Sequence, residues 1–142
     1  MLIGEYSHQI DGKGRVRIPT KLKNGLGADI MVTKGTNKCL FLFSQEYLQT
    51  TLFDKLQAVP ISDTQSSKPL RMLFSSASEL EEDNQGRTLL PKNLREFAGI
   101  TKDIVFVGAG YRAEIWAKEE WDKYMDGADF DTAMGDLKNY GV

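Results

Sequence analysis

The densest run of chemically capable side chains is cationic. Lys13, Arg15, Arg17, Lys21 and Lys23 stand within thirteen residues that contain one acid, Asp11. Arg15 to Ile18 alternates charged and apolar residues, the period of a half-buried strand. On such a strand Lys13, Arg15 and Arg17 project from one face, and Gly14, Val16 and Ile18 from the other. Side chains two apart on a strand are roughly 6.5–7 Å apart, close to the step between successive phosphates of one strand of a duplex. The chemistry this pattern offers is contact with a polyanion. In that reading Arg15 makes a bidentate contact to guanine, Lys13 and Arg17 hold phosphates, and Lys21 and Lys23 extend the ridge. A solvated strand face and a solvent-facing helix are the plain alternatives.

Other chemistry finds little to work with. The single histidine, His8, lies in a short strand beside Tyr6, where a surface or cross-strand role is expected. The single cysteine, Cys39, precedes an apolar strand and reads as core, and it excludes an intrachain disulfide. One His and one Cys do not make a zinc site without several carboxylates. The acidic run Glu79 to Asp83 is a poor metal site, because adjacent strand carboxylates face opposite ways. Gly108-Ala109-Gly110 suits a hairpin turn and has no following helix to receive a phosphate. No nucleophile elbow, phosphate loop or metalloprotease pattern occurs. The expectation is a protein that is not an enzyme, with no metal, cofactor or small-molecule substrate. No long apolar run or leader pattern is visible, so no membrane partner is expected and the cytoplasm is the expected location. Trp116 and Trp121 read as core or interface aromatics.

The net charge of −2 hides an asymmetry. Residues 1–60 carry 8 Lys/Arg against 5 Asp/Glu, whereas residues 61–142 carry 10 against 15. A phosphate backbone meets a patch and not an average, so the basic first half is the informative part.

The elements that must position these residues come in two copies. Asp11-Gly-Lys-Gly14-Arg15 followed by Pro19 and Leu22 recurs 72 residues later as Asp83-Asn-Gln-Gly86-Arg87, with Pro91 and Leu94. Gly27 and Gly99 keep the offset, and Asp29-Ile-Met-Val then matches Asp103-Ile-Val-Phe at 74. Each copy reads as a strand, a turn, a second strand, a Pro-started short helix, a hairpin and a further helix. In the first copy these are strands near Tyr6–Ile10 and Arg15–Ile18, a helix ending near Asn24-Gly25, and strands Ile30–Thr33 and Leu40–Phe43. A helix capped by Ser44 then runs toward Ala58. Residues 5–58 form the first unit, expected to contact DNA, and residues 76–126 the second. Residues 59–75 form a linker, a polar loop over 60–69 leading to a short helix, and 127–142 an acidic tail, frayed or weakly helical. A half of this size buries little apolar surface alone, so the expectation is a pseudo-symmetric intramolecular dimer. Asp11, Gly14, Asp83, Gly86 and Arg87 are motif-structural residues. Their Asp–Arg pairs suit two roles, a salt bridge that holds the turn or a place in the ligand site. Because acids surround the second copy, Arg87 is a weaker DNA candidate than the first-copy cations.

The paired motifs, the start Gly4-Glu5-Tyr6-x-His8-x-Ile10-Asp11 and the end Glu114-Ile115-Trp116 with Trp121 resemble the MraZ family over about residues 1–126. The resemblance implies an α+β, β-rich fold of two tandem AbrB-like (SpoVT-AbrB) swapped-hairpin half-domains. It implies a sequence-specific transcription regulator that binds double-stranded DNA at repeated promoter boxes of the division and cell-wall gene cluster. It further implies a ring-like homo-oligomer, an octamer by this likeness, associated with the nucleoid. In the family the D-x-x-x-R segments are tied to DNA contact, which falls here on Asp11 with Arg15 and on Asp83 with Arg87. The rival expectation is an oligomeric scaffold or antitoxin-like module that grips a protein through its last helix and tail.

Overall fold

Six short segments pair into one antiparallel sheet. The computed structural model describes residues 1–142. In chain order the strands and helices of the first copy are β1 (Glu5–Gln9), β2 (Arg15–Val16), α1 (Thr20–Leu26), β3 (Ile30–Lys34) and β4 (Leu40–Ser44). A helical segment follows, made of α2 (Gln45–Tyr47), a π-helical stretch (Leu48–Leu52) and α3 (Phe53–Leu56). After α4 (Thr64–Ser76) the series repeats as β5 (Ser78–Leu80), β6 (Thr88–Leu89), α5 (Lys92–Ala98), β7 (Asp103–Gly108), β8 (Ala113–Ala117) and α6 (Lys118–Met125). The tail adds α7 (Phe130–Gly135) and a 3₁₀ turn at Lys138–Tyr140. No helix is long and apolar enough to cross a membrane.

Strand order interleaves the copies. The six-stranded sheet runs β1-β7-β8-β4-β3-β5, and β2 pairs with β6 in a separate two-stranded ribbon. The first strand of each copy therefore pairs with the hairpin of the other. β1 lies on β7 with Ser7 opposite Val105, and β5 lies on β3 with Glu79 opposite Met31. The two hairpins meet at β4 and β8, with Leu40 opposite Ile115 and Phe41 opposite Glu114. This is the α+β architecture of two tandem swapped-hairpin units related by a pseudo-twofold axis.

The core sits on one face of the sheet. Val32, Leu40, Leu42, Ile104, Phe106 and Ile115 are fully buried there. Leu22 and Leu26 of α1, Leu94 and Ala98 of α5, and Val16 and Leu90 beside the ribbon close over them in the same cluster. The opposite face carries the alternate residues Phe43, Val105 and Trp116, also buried. There Tyr47 stacks on Phe43, and Trp121 and Tyr124 of α6 pack on Trp116. Trp116 Nε1 donates to Glu114 (3.1 Å), whose carboxylate also pairs with Arg112 at 2.8 Å. A buried anion is thus matched by a cation and an indole donor. Cys39 is buried, as expected of a core residue.

Several elements depart from the sequence-based expectation. The strand expected over Arg15–Ile18 is two residues long, because pairing is available only where β6 lies alongside. Lys13 is therefore a turn residue. α1 ends at Leu26, one residue past Gly25, and Leu26 is buried. The polar segment expected as a loop is helical from Thr64. Asp63 caps it, its carboxylate accepting from the Ser66 amide at 3.0 Å, and Pro69 is accommodated inside. In the tail Asp129 caps α7 through the Thr132 amide. The helix after Ser44 forms as expected, with Ser44 Oγ accepting from Tyr47 N–H at 3.0 Å, but it widens into the π-helical stretch.

Candidate nucleic-acid interface

The site begins with two nearly identical turns. Asp11 Oδ1 accepts the amides of Lys13 (2.9 Å) and Arg15 (2.8 Å), and its Oδ2 accepts Arg15 Nε at 2.8 Å. Asp83 does the same for Gln85 and Arg87 amides at 2.9 Å each and for Arg87 Nε at 3.1 Å. The chain closes each turn with an amide of Gly14 or Gly86 bonded to the Asp carbonyl. Gly14 and Gly86 stand at φ +84 and +75, the left-handed region that suits glycine. The repeated Asp, Gly and Arg are thus the parts of one turn. The backbone amide of Arg15 is the main cause holding the Asp11 carboxyl below its ordinary value, and the Arg87 amide does so for Asp83.

Within the ribbon Arg15 stands opposite Leu89 and Val16 opposite Thr88, which sets the two turns at the two ends of one short antiparallel ribbon. Arg87 Nη1 lies 4.0 Å from Asp11 Oδ2, so the second-copy arginine faces the first-copy acid as well as its own. Arg15, Arg17 and Arg87 line one hollow together with His8 and Gln9. Arg17 also lines the next hollow with Lys21, Lys23 and His8, along the start of α1. The structure therefore brings five of the six named cations into two adjoining hollows, with Lys13 exposed on the neighbouring turn.

Their electrostatic states differ. Lys13, Arg17 and Lys21 form no ion pair within the chain. Arg15 gives Nε to Asp11, and its two terminal nitrogens take no part in that bond. Lys23 pairs with Glu82. Lys13 and Arg17 are exposed, Arg15 and Ile18 half-buried, and Gly14 and Val16 buried.

A charge sum taken separately over each copy ignores the pairing of β2 with β6, which brings Arg87 into the hollow with Arg15 and Arg17. Sequence reasoning passed over His8 as a lining residue and over Arg95, whose guanidinium lies against Gly14. The available signal for Arg95 was a cation at the same offset in both copies, Lys23 and Arg95.

Comparison with known proteins finds one family model matching residues 1–70 and 73–136, described as "MraZ protein, putative antitoxin-like". Among curated relatives, the chain is 42% identical over 143 residues to "Transcriptional regulator MraZ" of Clostridium beijerinckii, covering all of both chains. It is 46% identical over 125 residues to the protein of that name from Desulforamulus reducens, covering 87% of each. Against the one from Carboxydothermus hydrogenoformans it is 44% identical over 128 residues, 90% of this chain and 89% of the relative.

Proposed function

The chain belongs to the MraZ family, and from that premise we propose that it is a transcription regulator that binds double-stranded DNA through the paired motif turns. The observation that carries this reading is the convergence of Arg15, Arg17 and Arg87 on one hollow, continued by Lys21 along α1. Cations without internal partners are the ones a phosphate backbone can recruit without breaking an existing ion pair. Lys13, Arg17 and Lys21 meet that condition and serve as phosphate contacts. Arg15, oriented by Asp11, presents its terminal nitrogens to a base edge, the geometry of bidentate guanine recognition. Arg87 shares the hollow and adds a contact from the second copy. Lys23 contributes through its charge near the groove while paired to Glu82.

A handful of contacts gives weak, salt-sensitive binding. A ring-like homo-oligomer, an octamer by family likeness, would present the turns at fixed spacing to successive promoter boxes. Avidity of roughly 10²–10⁴ would then supply the missing affinity. Apolar residues left exposed on α6 and the tail, among them Tyr124, Met125 and Phe130, support self-association.

Mobility-shift titration at two salt concentrations, using a duplex with direct repeats of the promoter box and a scrambled duplex, tests the proposal. The expected result is preference for the repeats and a steep loss of affinity with salt. Equal, salt-insensitive or absent binding of both duplexes by an intact oligomer would overturn it and favour the protein-binding scaffold. Replacing Lys13 by Ala is expected to weaken both duplexes alike and to lower the salt slope by about 0.9, one phosphate contact. Arg15→Ala is expected to erase the preference between duplexes instead.

A further inference from the structure

Neither motif turn is held by its own copy alone. Lys23 on α1 and Arg95 on α5 occupy matching positions 72 residues apart. Each reaches the turn of the opposite copy. Lys23 pairs with Glu82, the residue just before the second turn. Arg95 meets no such acid, because the first-copy counterpart of Glu82 is Ile10. It takes a different route. Arg95 Nε donates to the Leu90 carbonyl at 2.9 Å, and the Leu90 amide donates to the Gly14 carbonyl at 2.9 Å. The backbone of Leu90 thus links the guanidinium to the first turn. The same guanidinium covers Gly14 so closely that a Cβ there would stand 2.5 Å from Arg95 Cζ. The second turn lacks this link, since Ile18 N–H makes no bond to Gly86.

The consequence concerns aim. Gly14 directly precedes Arg15 and follows Lys13, the two residues given base and phosphate contacts above. A half-buried arginine fixed on the Gly14 peptide removes freedom from both. We propose that Arg95 is a positioning residue for the first motif turn: held to Leu90 and packed on Gly14, it sets the direction of Lys13 and Arg15 without touching DNA. The second copy thereby governs recognition by the first. This rests on the reading of the first turn as a DNA-contacting surface, while the mechanical part, that Arg95 stiffens the turn, stands without it.

Two measurements on the full-length protein, with Arg95→Ala and Arg95→Lys, separate these levels. The first is amide hydrogen exchange at Lys13 and Arg15 in the free protein. Both variants are expected to speed it roughly five- to tenfold, the size of one lost hydrogen bond. Charge is kept in Arg95→Lys, but a lysine has no Nε–H at the place where Arg95 bonds Leu90. The second is binding to repeat and scrambled duplexes over a salt series. Both variants are expected to lose preference for the repeats alike, with any fall in salt slope from the mis-aimed Lys13 the same in the two variants. Unaltered exchange, a salt slope that falls in Arg95→Ala but is kept in Arg95→Lys, or full rescue by Lys would overturn the proposal, the last two because they mark a direct phosphate contact. If the parent protein itself shows no preference between duplexes, the functional reading fails, and the exchange result alone decides the mechanical one.

Discussion

A single carboxylate does three jobs in each motif turn, accepting two amides and one guanidinium nitrogen. That arrangement explains why Asp11 and Asp83 recur with their arginines, and it has a pH signature. Both carboxyls lie below the ordinary aspartate value of 3.8, first because of the backbone amides of Arg15 and Arg87. A lowered folded value means that the stabilisation is fully present above the unfolded value and is lost as pH falls through the folded one. Carboxyl titration by NMR should therefore place both midpoints below 3.8, with order in the turns lost only in stronger acid. Arg87→Ala should weaken DNA binding as an independent contact and not merely relax the second turn. Mobility shifts read the first effect and exchange at Gln85 the second. At Cys39 burial, with Glu114 adding to it, pushes the thiol up to about 12. Alkylation by iodoacetamide at pH 8 should proceed only after denaturant exposes it.

Elements were legible where a local cause dominates. The Ser44 cap is such a case, and Ser44→Ala should cost about 1 kcal/mol in urea unfolding. The first-copy strands β3 and β4 follow from runs of alternating or continuous apolar residues. α4 was hidden because Thr, Gln, Ser and Pro over 64–69 carry loop composition. What makes it a helix is the Asp63 cap, together with the packing of α4 against β3, onto which Ser76 Oγ accepts the Lys34 amide at 3.2 Å. β2 was overdrawn for the opposite reason, since alternation continues through Ile18 but the partner strand does not.

At the scale of the molecule the two copies cannot be cut apart. β1 needs β7, β3 needs β5, and β2 needs β6. A fragment of residues 1–60 would leave β1 and β2 without partners, strip the β3–β4 hairpin of both its neighbours and open half the shared core, so it should remain unfolded by circular dichroism. The intact chain should unfold in one transition, coincident by far-UV and near-UV circular dichroism. Phe106, fully buried where the second-copy hairpin meets β1, is a sensitive probe. Phe106→Ala should destabilise by about 3–5 kcal/mol and lower both halves together.

The duplication, the turn motif and the cationic character of the first copy were all readable from residue types and spacing. They depend on local backbone chemistry, where an Asp, a Gly and an Arg at fixed offsets suffice. What tertiary structure alone decided is which copy each residue serves. Strand exchange places Arg87 beside Arg15, turns Lys23 toward Glu82 and lays Arg95 on Gly14. Those contacts join residues more than fifty positions apart, and no local pattern encodes a partner that only the pairing of distant strands brings within reach.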